Sequence, residues 1–282
     1  MDKIFILFQN IVPQHLLSRC TGFLAGLRHP EWLKNWLIRQ FIQHFDVDMS
    51  EAVESDCTRY ACFNDFFTRA LRDGARPLAD ADILCPADGV ISQSGDIANG
   101  LLFQAKGRYF STEDLLGGDE ARAAQFQGGA FATIYLSPKD YHRVHMPVAG
   151  RLTGTCYIPG QLFSVNAVTA ENVDRLFARN ERLVCYFETD QGPMAMILVG
   201  AMIVAGIETV WSGQVAPPTK RPVSVDYANL PESVELAKGD EMGRFMLGST
   251  VILLFPEGAM TFDGQYLAGA ATRMGEALGS YR

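Results

Sequence analysis

From Pro77 onward the chain alternates short apolar segments with turns rich in glycine, proline and aspartate. Apolar segments of this length, bounded by turn residues, are typical of β-strands. The predicted strands are Gly89–Ser92, Leu101–Ala105, Phe131–Leu136, Arg151–Tyr157, Arg182–Glu188, Met194–Val199, Met202–Glu208 and Val251–Phe255. We therefore expect the body of the protein to be predominantly antiparallel β-sheet.

The first 45 residues have a pattern that is typical of helices. Their apolar residues recur at helical spacing, first at Leu16, Leu17, Cys20, Phe23, Leu24 and Leu27, and then at Trp32, Leu33, Trp36, Leu37, Phe41 and Phe45. Pro30 suits the first turn of the second helix. A short helix is also predicted at Asn64–Arg72, with Asn64 as its N-cap. The sequence predicts an α+β protein in which N-terminal amphipathic helices precede the β body.

Charge is unevenly distributed along the chain. Residues 1–45 hold five basic and two acidic side chains, whereas the whole chain has a net charge of -8. A basic amphipathic helix with tryptophans fits a membrane interface, but it fits a helical hairpin docked on the β body equally well. Lys34 and Arg39 lie off its apolar stripe. The acidic balance of the whole chain argues against nucleic acid as a partner.

Two further features bear on the compartment. The six cysteines are scattered without a CxxC pair, which favours free thiols in a reducing compartment. The apolar stretch Ile4–Phe8 lacks the basic region and cleavage site of a signal peptide. The longest apolar run, Met194–Ile207, has 14 residues and is too short to span a bilayer.

One tetrapeptide near the C-terminus, Leu247-Gly248-Ser249-Thr250, has two interpretations. Small residues before the apolar run Val251–Phe255 commonly mark the entry to a strand. The glycine carbonyl is also unhindered and the serine hydroxyl lies beside it, so the Gly248–Ser249 bond can be a site of self-cleavage. Cleavage by the serine would convert it into a pyruvoyl group, an electron sink made from the chain itself.

Three more residues are candidates for chemistry. His142 and His145 are three positions apart after a predicted strand and a Ser-Pro turn. Such a pair occurs in surface turns and in metal sites, but zinc normally takes three or four protein ligands, and imidazole is suited to acid–base work near neutral pH. Asp88 precedes a glycine, as in an Asp-Gly turn, and with Ser249 and a histidine it would complete a nucleophilic triad.

The ordered combination of motifs resembles the bacterial phosphatidylserine decarboxylase proenzymes, from about Phe63 to Phe262. The segments that carry the resemblance are Pro86–Gly89, Tyr135–Pro147, Pro159–Asn166, Phe177–Arg182, Lys238–Glu241 and Leu247–Thr250. The resemblance implies a β-rich body with N-terminal helices, commonly in a homodimer. It is looser over the helical N-terminus, where that family has its membrane-associating region.

The resemblance implies a role for each candidate. Ser249 would be the cleavage nucleophile and pyruvoyl precursor, His145 the base that activates it, and Asp88 the group that orients His145. His142 would serve decarboxylation as proton donor or electrostatic partner. Cleavage after Gly248 would give chains 1–248 and 249–282, and the covalent pyruvoyl cofactor would convert phosphatidylserine to phosphatidylethanolamine, with no metal.

The same resemblance implies an organisation and a location. Residues 1–60 would form the helical membrane-associating region and residues 61–282 the decarboxylase domain. The expected partners are phosphatidylserine, an anionic membrane surface, the two chains of one precursor and a second copy. The expected location is the cytoplasmic face of the cell membrane, where the protein is peripheral. Alternatives are a pyruvoyl-dependent decarboxylase of a soluble amino acid, a β-barrel-sandwich binding domain and a metal-dependent hydrolase.

Overall fold

The N-terminal part of the chain is helical and the remainder is mostly β-sheet, as a computed structural model shows for residues 9, 13–202, 206–216, 221–246 and 249–282. The longer helices are α1 (Gln14–Gly26) and α2 (Glu31–Phe45). The shorter helices are α3 (Phe63–Phe67), α4 (Thr112–Leu115), α5 (Glu120–Ala124), α6 (Ala167–Asn172) and α7 (Leu176–Arg179). The α+β class predicted from the sequence is confirmed.

Strands make up most of the rest of the chain. The first nine are β1 (Ile83–Leu84), β2 (Gly89–Asp96), β3 (Leu101–Ala105), β4 (Arg108–Ser111), β5 (Ala130–Leu136), β6 (Arg143–His145), β7 (Gly150–Ile158), β8 (Arg182–Thr189) and β9 (Gly192–Gly200). The later ones are β10 (Ile207–Thr209), β11 (Gly213–Ala216), β12 (Val223–Asp226), β13 (Glu235–Leu236), β14 (Glu241–Phe245), β15 (Ser249–Phe255), β16 (Met260–Phe262), β17 (Ala271–Thr272) and β18 (Ala277–Tyr281).

A nine-stranded antiparallel sheet forms the centre of the body, in the order β12-β7-β8-β9-β15-β5-β2-β17, with β13 also paired to β7. Every residue of β15 is buried. Val251, Leu253 and Phe255 join the core on one face of the sheet, and Ile252 and Leu254 join the core on the other. A strand covered on both faces needs apolar residues at consecutive positions, which explains the continuous apolar run of its sequence.

Smaller sheets complete the body. One has the order β11-β10-β14-β6, another has the order β1-β18-β16, and β3 pairs with β4. Val144 of β6 and Phe245 of β14 belong to the same core cluster as Val251 of the central sheet. The strand pair that carries the predicted histidine motif therefore packs on the face of the central sheet that contains Ser249.

The N-terminal helices pack through a cluster of phenylalanines. Phe41 of α2 makes edge-to-face contacts with Phe63 and Phe67 of α3, at ring-centroid distances of 5.1 and 5.8 Å. The cluster extends across residues 60 and 61, where the sequence predicts the domain boundary. No helix in the described part of the chain is both long enough and apolar enough to cross a membrane.

The orientation of α2 differs from the prediction in one respect. Trp32 and Trp36 are 70% and 53% exposed, whereas Lys34, which was expected off the apolar stripe, is only 7% exposed. The Lys34 ammonium donates to the carbonyls of Thr58 and Tyr60, at 3.0 and 2.6 Å. The methylene stem of lysine can be buried where carbonyls receive the charge, so the side of α2 that contains Lys34 and Ile38 faces the body.

Two local predictions were wrong in their boundaries. Helix α3 ends at Phe67 rather than Arg72, and Leu71 instead bridges to Ala52. Asn64 lies inside this helix, and Cys62 holds the N-cap position without a side-chain hydrogen bond. The strand predicted at Met202–Glu208 falls partly outside the described residues, and β10 begins at Ile207.

Candidate active site

Ser249 is the first residue of the central strand β15. Its Cα pairs with Leu136 of β5 on one side and with Gly200 of β9 on the other. The residue is 0% exposed, and its Oγ has no hydrogen-bond partner among the described residues. Buried hydroxyls are normally hydrogen-bonded, so Ser249 is an exception. Leu247 and Gly248 lie outside the described residues.

The turn that contains Asp88 reaches the same end of the sheet. Strand β5 separates β15 from β2, and Val90 of β2 pairs with Tyr135. Ser249 and the Asp88–Gly89 turn therefore flank the end of β5, about 10 Å apart if strands lie about 4.8 Å from each other. A Cβ on Gly89 would lie 2.3 Å from the Tyr135 carbonyl oxygen, so this approach requires glycine.

Asp88 is held by an arginine that the sequence analysis missed. Arg76 Nε donates to both carboxylate oxygens of Asp88, at 2.9 and 3.1 Å, and the Met274 backbone N–H donates to Oδ1 at 2.8 Å. Arg76 also donates to Glu51 at 2.8 Å. No hydrogen bond joins Asp88 to His145 in the described part of the chain. The Asp88 carboxylate is instead paired with the guanidinium of Arg76.

His145 is fixed by other partners. Its backbone N–H donates to the Pro86 carbonyl at 2.8 Å, and its Nδ1 lies 2.8 Å from the Gly239 carbonyl. A carbonyl only accepts, so Nδ1 carries the proton and Nε2 accepts from the Tyr141 hydroxyl at 3.1 Å. Burial lowers the pKa of His145, which keeps the ring in its neutral, basic form. The charge of Asp88 acts in the opposite direction and favours protonation.

His142 has the same tautomer but an unoccupied base nitrogen. Its Nδ1 donates to the Asp140 carbonyl at 2.8 Å, and its Nε2 is buried without a partner among the described residues. The ring is 4.0 Å from the ring of Phe67, measured between centroids. Burial and, to a smaller extent, the nearby charge of Arg69 lower its pKa to about 3, although the hydrogen bond to the Asp140 carbonyl acts in the opposite direction. At neutral pH His142 therefore presents a free lone pair in an apolar environment.

A polar cavity of about 200 Å³ lies beside Asp88 and Tyr141. Its lining includes Asp88, Tyr141, Arg69, Arg76 and Asp140, of which only Asp88 was a predicted site residue. Burial lowers the pKa of Arg69 and raises the pKa of Asp140. No sequence pattern marks the two arginines, because they precede the β body in an irregular segment.

No group of three or more His, Cys, Asp or Glu side chains in the described ranges is arranged to hold a metal ion. His142 and His145 instead hydrogen-bond to backbone carbonyls. All six cysteines are unpaired.

Comparison with known proteins identifies the family of this chain. A family model described as phosphatidylserine decarboxylase matches residues 63–280, and a second, described as PSD, matches residues 4–46. The phosphatidylserine decarboxylase proenzyme of Ectopseudomonas mendocina (strain ymp) is 58% identical over 282 residues, which cover 99% of this chain and 98% of the relative.

Two further relatives have the same name. The phosphatidylserine decarboxylase proenzyme of Stutzerimonas stutzeri (strain A1501) is 56% identical over 281 residues, covering 99% of this chain and 94% of the relative. That of Alcanivorax borkumensis is 54% identical, covering 99% and 97%. Identity at this level along nearly the whole chain shows that the protein belongs to the phosphatidylserine decarboxylase family.

Proposed function

We propose that this protein is a phosphatidylserine decarboxylase that cuts itself between Gly248 and Ser249 and converts Ser249 into a covalent pyruvoyl group. The observation that supports the proposal most directly is the Ser249 hydroxyl, which is buried at the head of the central strand without a hydrogen-bond partner. Buried hydroxyls are normally hydrogen-bonded, although those of Thr250 and Thr133 in the same sheet also lack a partner among the described residues. Membership of a family whose relatives are named proenzymes supports processing of the chain.

The surroundings of residue 249 suit a pyruvoyl group. The residue of β9 that lies beside Ser249 on the same face of the sheet is Gly200, which has no side chain. A Cβ on Gly200 would lie 3.3 Å from the Glu181 carbonyl oxygen and 3.6 Å from Leu162 Cδ2. The space beside residue 249 is thus kept free by glycine. When formed, the group would supply a carbonyl that joins the substrate amine and accepts the electron pair left by carbon dioxide.

Self-cleavage would begin with proton transfer from Ser249 Oγ to His145 Nε2. The oxygen attacks the Gly248 carbonyl carbon, and an ester replaces the amide. Loss of the Ser249 Cα proton then breaks the Cβ–Oγ bond and releases the Gly248 carboxylate. Water replaces the remaining enamine nitrogen, which leaves as ammonia. The negative charge of Asp88 stabilises His145 while it holds the proton.

His142 would donate the proton that replaces carbon dioxide in the decarboxylation step. Its Nε2 is the buried base nitrogen with no partner in the described part of the chain, and Nδ1 is tied to the Asp140 carbonyl. Burial keeps the ring neutral at rest. An anionic substrate beside it would raise its pKa and so favour the protonated ring, which would pass its proton to the carbon that loses carbon dioxide.

The N-terminal helices would bring the enzyme to its lipid. Their exposed apolar side chains include Leu16, Phe23, Trp32 and Trp36, and tryptophan is favoured at the membrane–water interface. Basic residues attract anionic lipid with about 1 kcal/mol each near the surface. We propose residues 1–60 as the membrane-associating region, peripheral at the cytoplasmic face, and residues 61–282 as the catalytic domain of a homodimer.

Intact mass spectrometry with and without borohydride tests the proposal. The expected result is two chains, 1–248 and 249–282, of which the smaller has a blocked N-terminus and gains mass on reduction. Phosphatidylserine vesicles should then yield carbon dioxide and phosphatidylethanolamine. A chain that stays intact with anionic lipid and releases no carbon dioxide refutes the proposal. Decarboxylation of free amino acids but not of vesicles would favour a pyruvoyl enzyme for a soluble substrate.

A further inference from the structure

Glu181 is a buried carboxyl group to which the steps above assign no role. It precedes β8 and is 5% exposed. Its Oε2 accepts a hydrogen bond from the Tyr157 hydroxyl at 2.9 Å, and no hydrogen bond to Oε1 is found within the described ranges. Burial of a carboxyl group is costly unless its charge is paired, and the Tyr157 hydroxyl is a neutral donor. The residue therefore needs an explanation.

The register of the central sheet places Glu181 in line with Ser249. The Gly200 N–H donates to the Glu181 carbonyl at 2.8 Å, and Gly200 is the Cα partner of Ser249. The three residues form one row across neighbouring strands, so Glu181 and Ser249 are two strand spacings apart, about 10 Å between their Cα atoms.

The two side chains also lie on the same face. Successive residues of a strand point to opposite faces. Leu183, two residues after Glu181, and Val251, two residues after Ser249, belong to one core cluster. Tyr157, which binds the Glu181 carboxyl, belongs to it as well. Glu181 and Ser249 therefore project from the same side of the sheet.

In that row of the sheet the residue between them is Gly200, and the Leu162 side chain borders the space beside it, with Cδ2 3.6 Å from the point that a Cβ on Gly200 would occupy. Glu181 Oε1 is 4.0 Å from the point that a Cβ on Gly200 would occupy. The carboxyl group thus extends over Gly200 towards position 249, and a longer side chain at residue 200 would separate the two. A small group that bridges residue 249 and Glu181 would occupy the gap between Gly200 and the Leu162 side chain.

The electrostatics of this gap suit an ammonium group. Burial raises the pKa of Glu181, although the hydrogen bond from Tyr157 and the positive charge of His15 oppose that shift. A carboxyl with a raised pKa is a stronger base than an exposed one and accepts a proton more readily. His15 belongs to α1, so the gap also adjoins the helices that we propose to bind the membrane.

We propose that Glu181 binds the primary ammonium of the phospholipid headgroup and removes one proton from it, which makes the amine a nucleophile. In this step one N–H bond breaks, an O–H bond forms at Oε1, and the electron pair stays on nitrogen. The inference rests on the proposed function, because an amine must react at position 249. It makes Glu181 the residue that distinguishes aminophospholipids from lipids without a primary amine.

Glu181→Gln tests this role, with Glu188→Gln, an exposed glutamate of β8, as the matched control. Self-cleavage is followed by mass spectrometry, and binding of dihexanoyl phosphatidylethanolamine and dihexanoyl phosphatidylglycerol by calorimetry. Glu181→Gln should be cleaved normally, bind the amine lipid at least about tenfold more weakly and bind the glycerol lipid unchanged. Its decarboxylation rate should fall by roughly 10²-fold or more, the range for a lost acid–base group.

Wild-type affinity of Glu181→Gln for the amine lipid would overturn the inference, and so would an equal loss for both lipids, which indicates a structural role. If Glu181→Gln is not cleaved, Glu181→Asp is used, and it should bind the amine lipid more weakly but retain the preference over the glycerol lipid. An uncleaved Glu181→Asp would also indicate a structural role and refute the inference. A wild-type protein that neither cleaves nor decarboxylates would instead refute the proposed function.

Discussion

The N-terminal helices and the central strand β15 are both rich in apolar residues but use them differently. All seven residues of β15 are buried between two cores. Helices α1 and α2 leave large apolar side chains exposed, among them Phe23 at 71% and Trp32 at 70%. Apolar periodicity alone does not tell these cases apart, because it shows which face is apolar and not what covers it.

This difference predicts that β15 contributes to the stability of the fold, whereas the exposed side chains of α1 and α2 are available for membrane binding. Buried apolar surface contributes to folding roughly in proportion to the area removed from water. Exposed apolar surface contributes nothing to folding and is available to a membrane. Substitutions in the two regions should therefore change different measured quantities. The largest effect is expected at Ser249, the first residue of β15.

Ser249→Ala should abolish both cleavage and decarboxylation while leaving the fold intact. The Ser249 hydroxyl makes no hydrogen bond to the described residues, so its removal costs little stability, but without it there is neither a nucleophile nor a pyruvoyl precursor. Mass spectrometry should find one chain of 31.1 kDa. Ser212→Ala, at an exposed position, should be cleaved as the wild type is. A Ser249→Ala protein cut after residue 248 would contradict this role.

His142→Ala should separate the two reactions. Cleavage is expected to continue, because His145 is the proposed base of that step, while the decarboxylation rate falls roughly 10²–10⁴-fold. The measurements are the fraction of cleaved chain and carbon dioxide release from phosphatidylserine vesicles. His29→Ala, at an exposed position, is the control. Full activity of processed His142→Ala would remove His142 from the mechanism.

Leu253→Ala and Phe23→Ala should have opposite consequences. Leu253 is buried in β15, and its truncation should lower the free energy of unfolding by about 2–5 kcal/mol. Phe23 is exposed, so its truncation should change that free energy by less than about 0.5 kcal/mol but weaken binding to vesicles. Denaturant titration and vesicle co-sedimentation measure the two effects. A large destabilisation by Phe23→Ala would mean that α1 packs on protein.

Arg39→Gln should weaken vesicle binding, whereas Lys34→Gln should lower the stability of the fold. Arg39 is exposed, and its loss should weaken binding to anionic vesicles by about 1 kcal/mol, roughly fivefold. Lys34 is buried and donates to two carbonyls, so its loss should lower stability by about 1–3 kcal/mol. Equal effects of the two variants on vesicle binding would contradict this division.

The sequence predicted those features that depend on local pattern. The strands around Val251–Phe255 and Met194–Val199 follow from their apolar composition, and the residues at the head of β15 follow from the family motif. The helix predicted at Asn64–Arg72 extends too far because Leu71 bridges to Ala52, a tertiary contact that local propensity does not contain.

The partners of the site residues could not be predicted in the same way. Asp88 binds Arg76 and the backbone of Met274, and the latter is 186 residues away in the chain. Glu181 is brought opposite Ser249 only through the pairing of β8, β9 and β15. Such contacts depend on sheet order and register, which apolar periodicity does not determine.

The central position of β15 affects how the cleaved enzyme would unfold and refold. The segment 249–282 contributes β15 and β17 to the main sheet and β16 and β18 to another, so after the proposed cut the smaller chain remains embedded among strands of the larger one. The precursor folds as a single molecule. Once cut, however, the unfolded protein is two chains, and refolding becomes a bimolecular reaction that depends on concentration. The mature enzyme is then protected mainly by its barrier to unfolding, and each molecule folds efficiently only once.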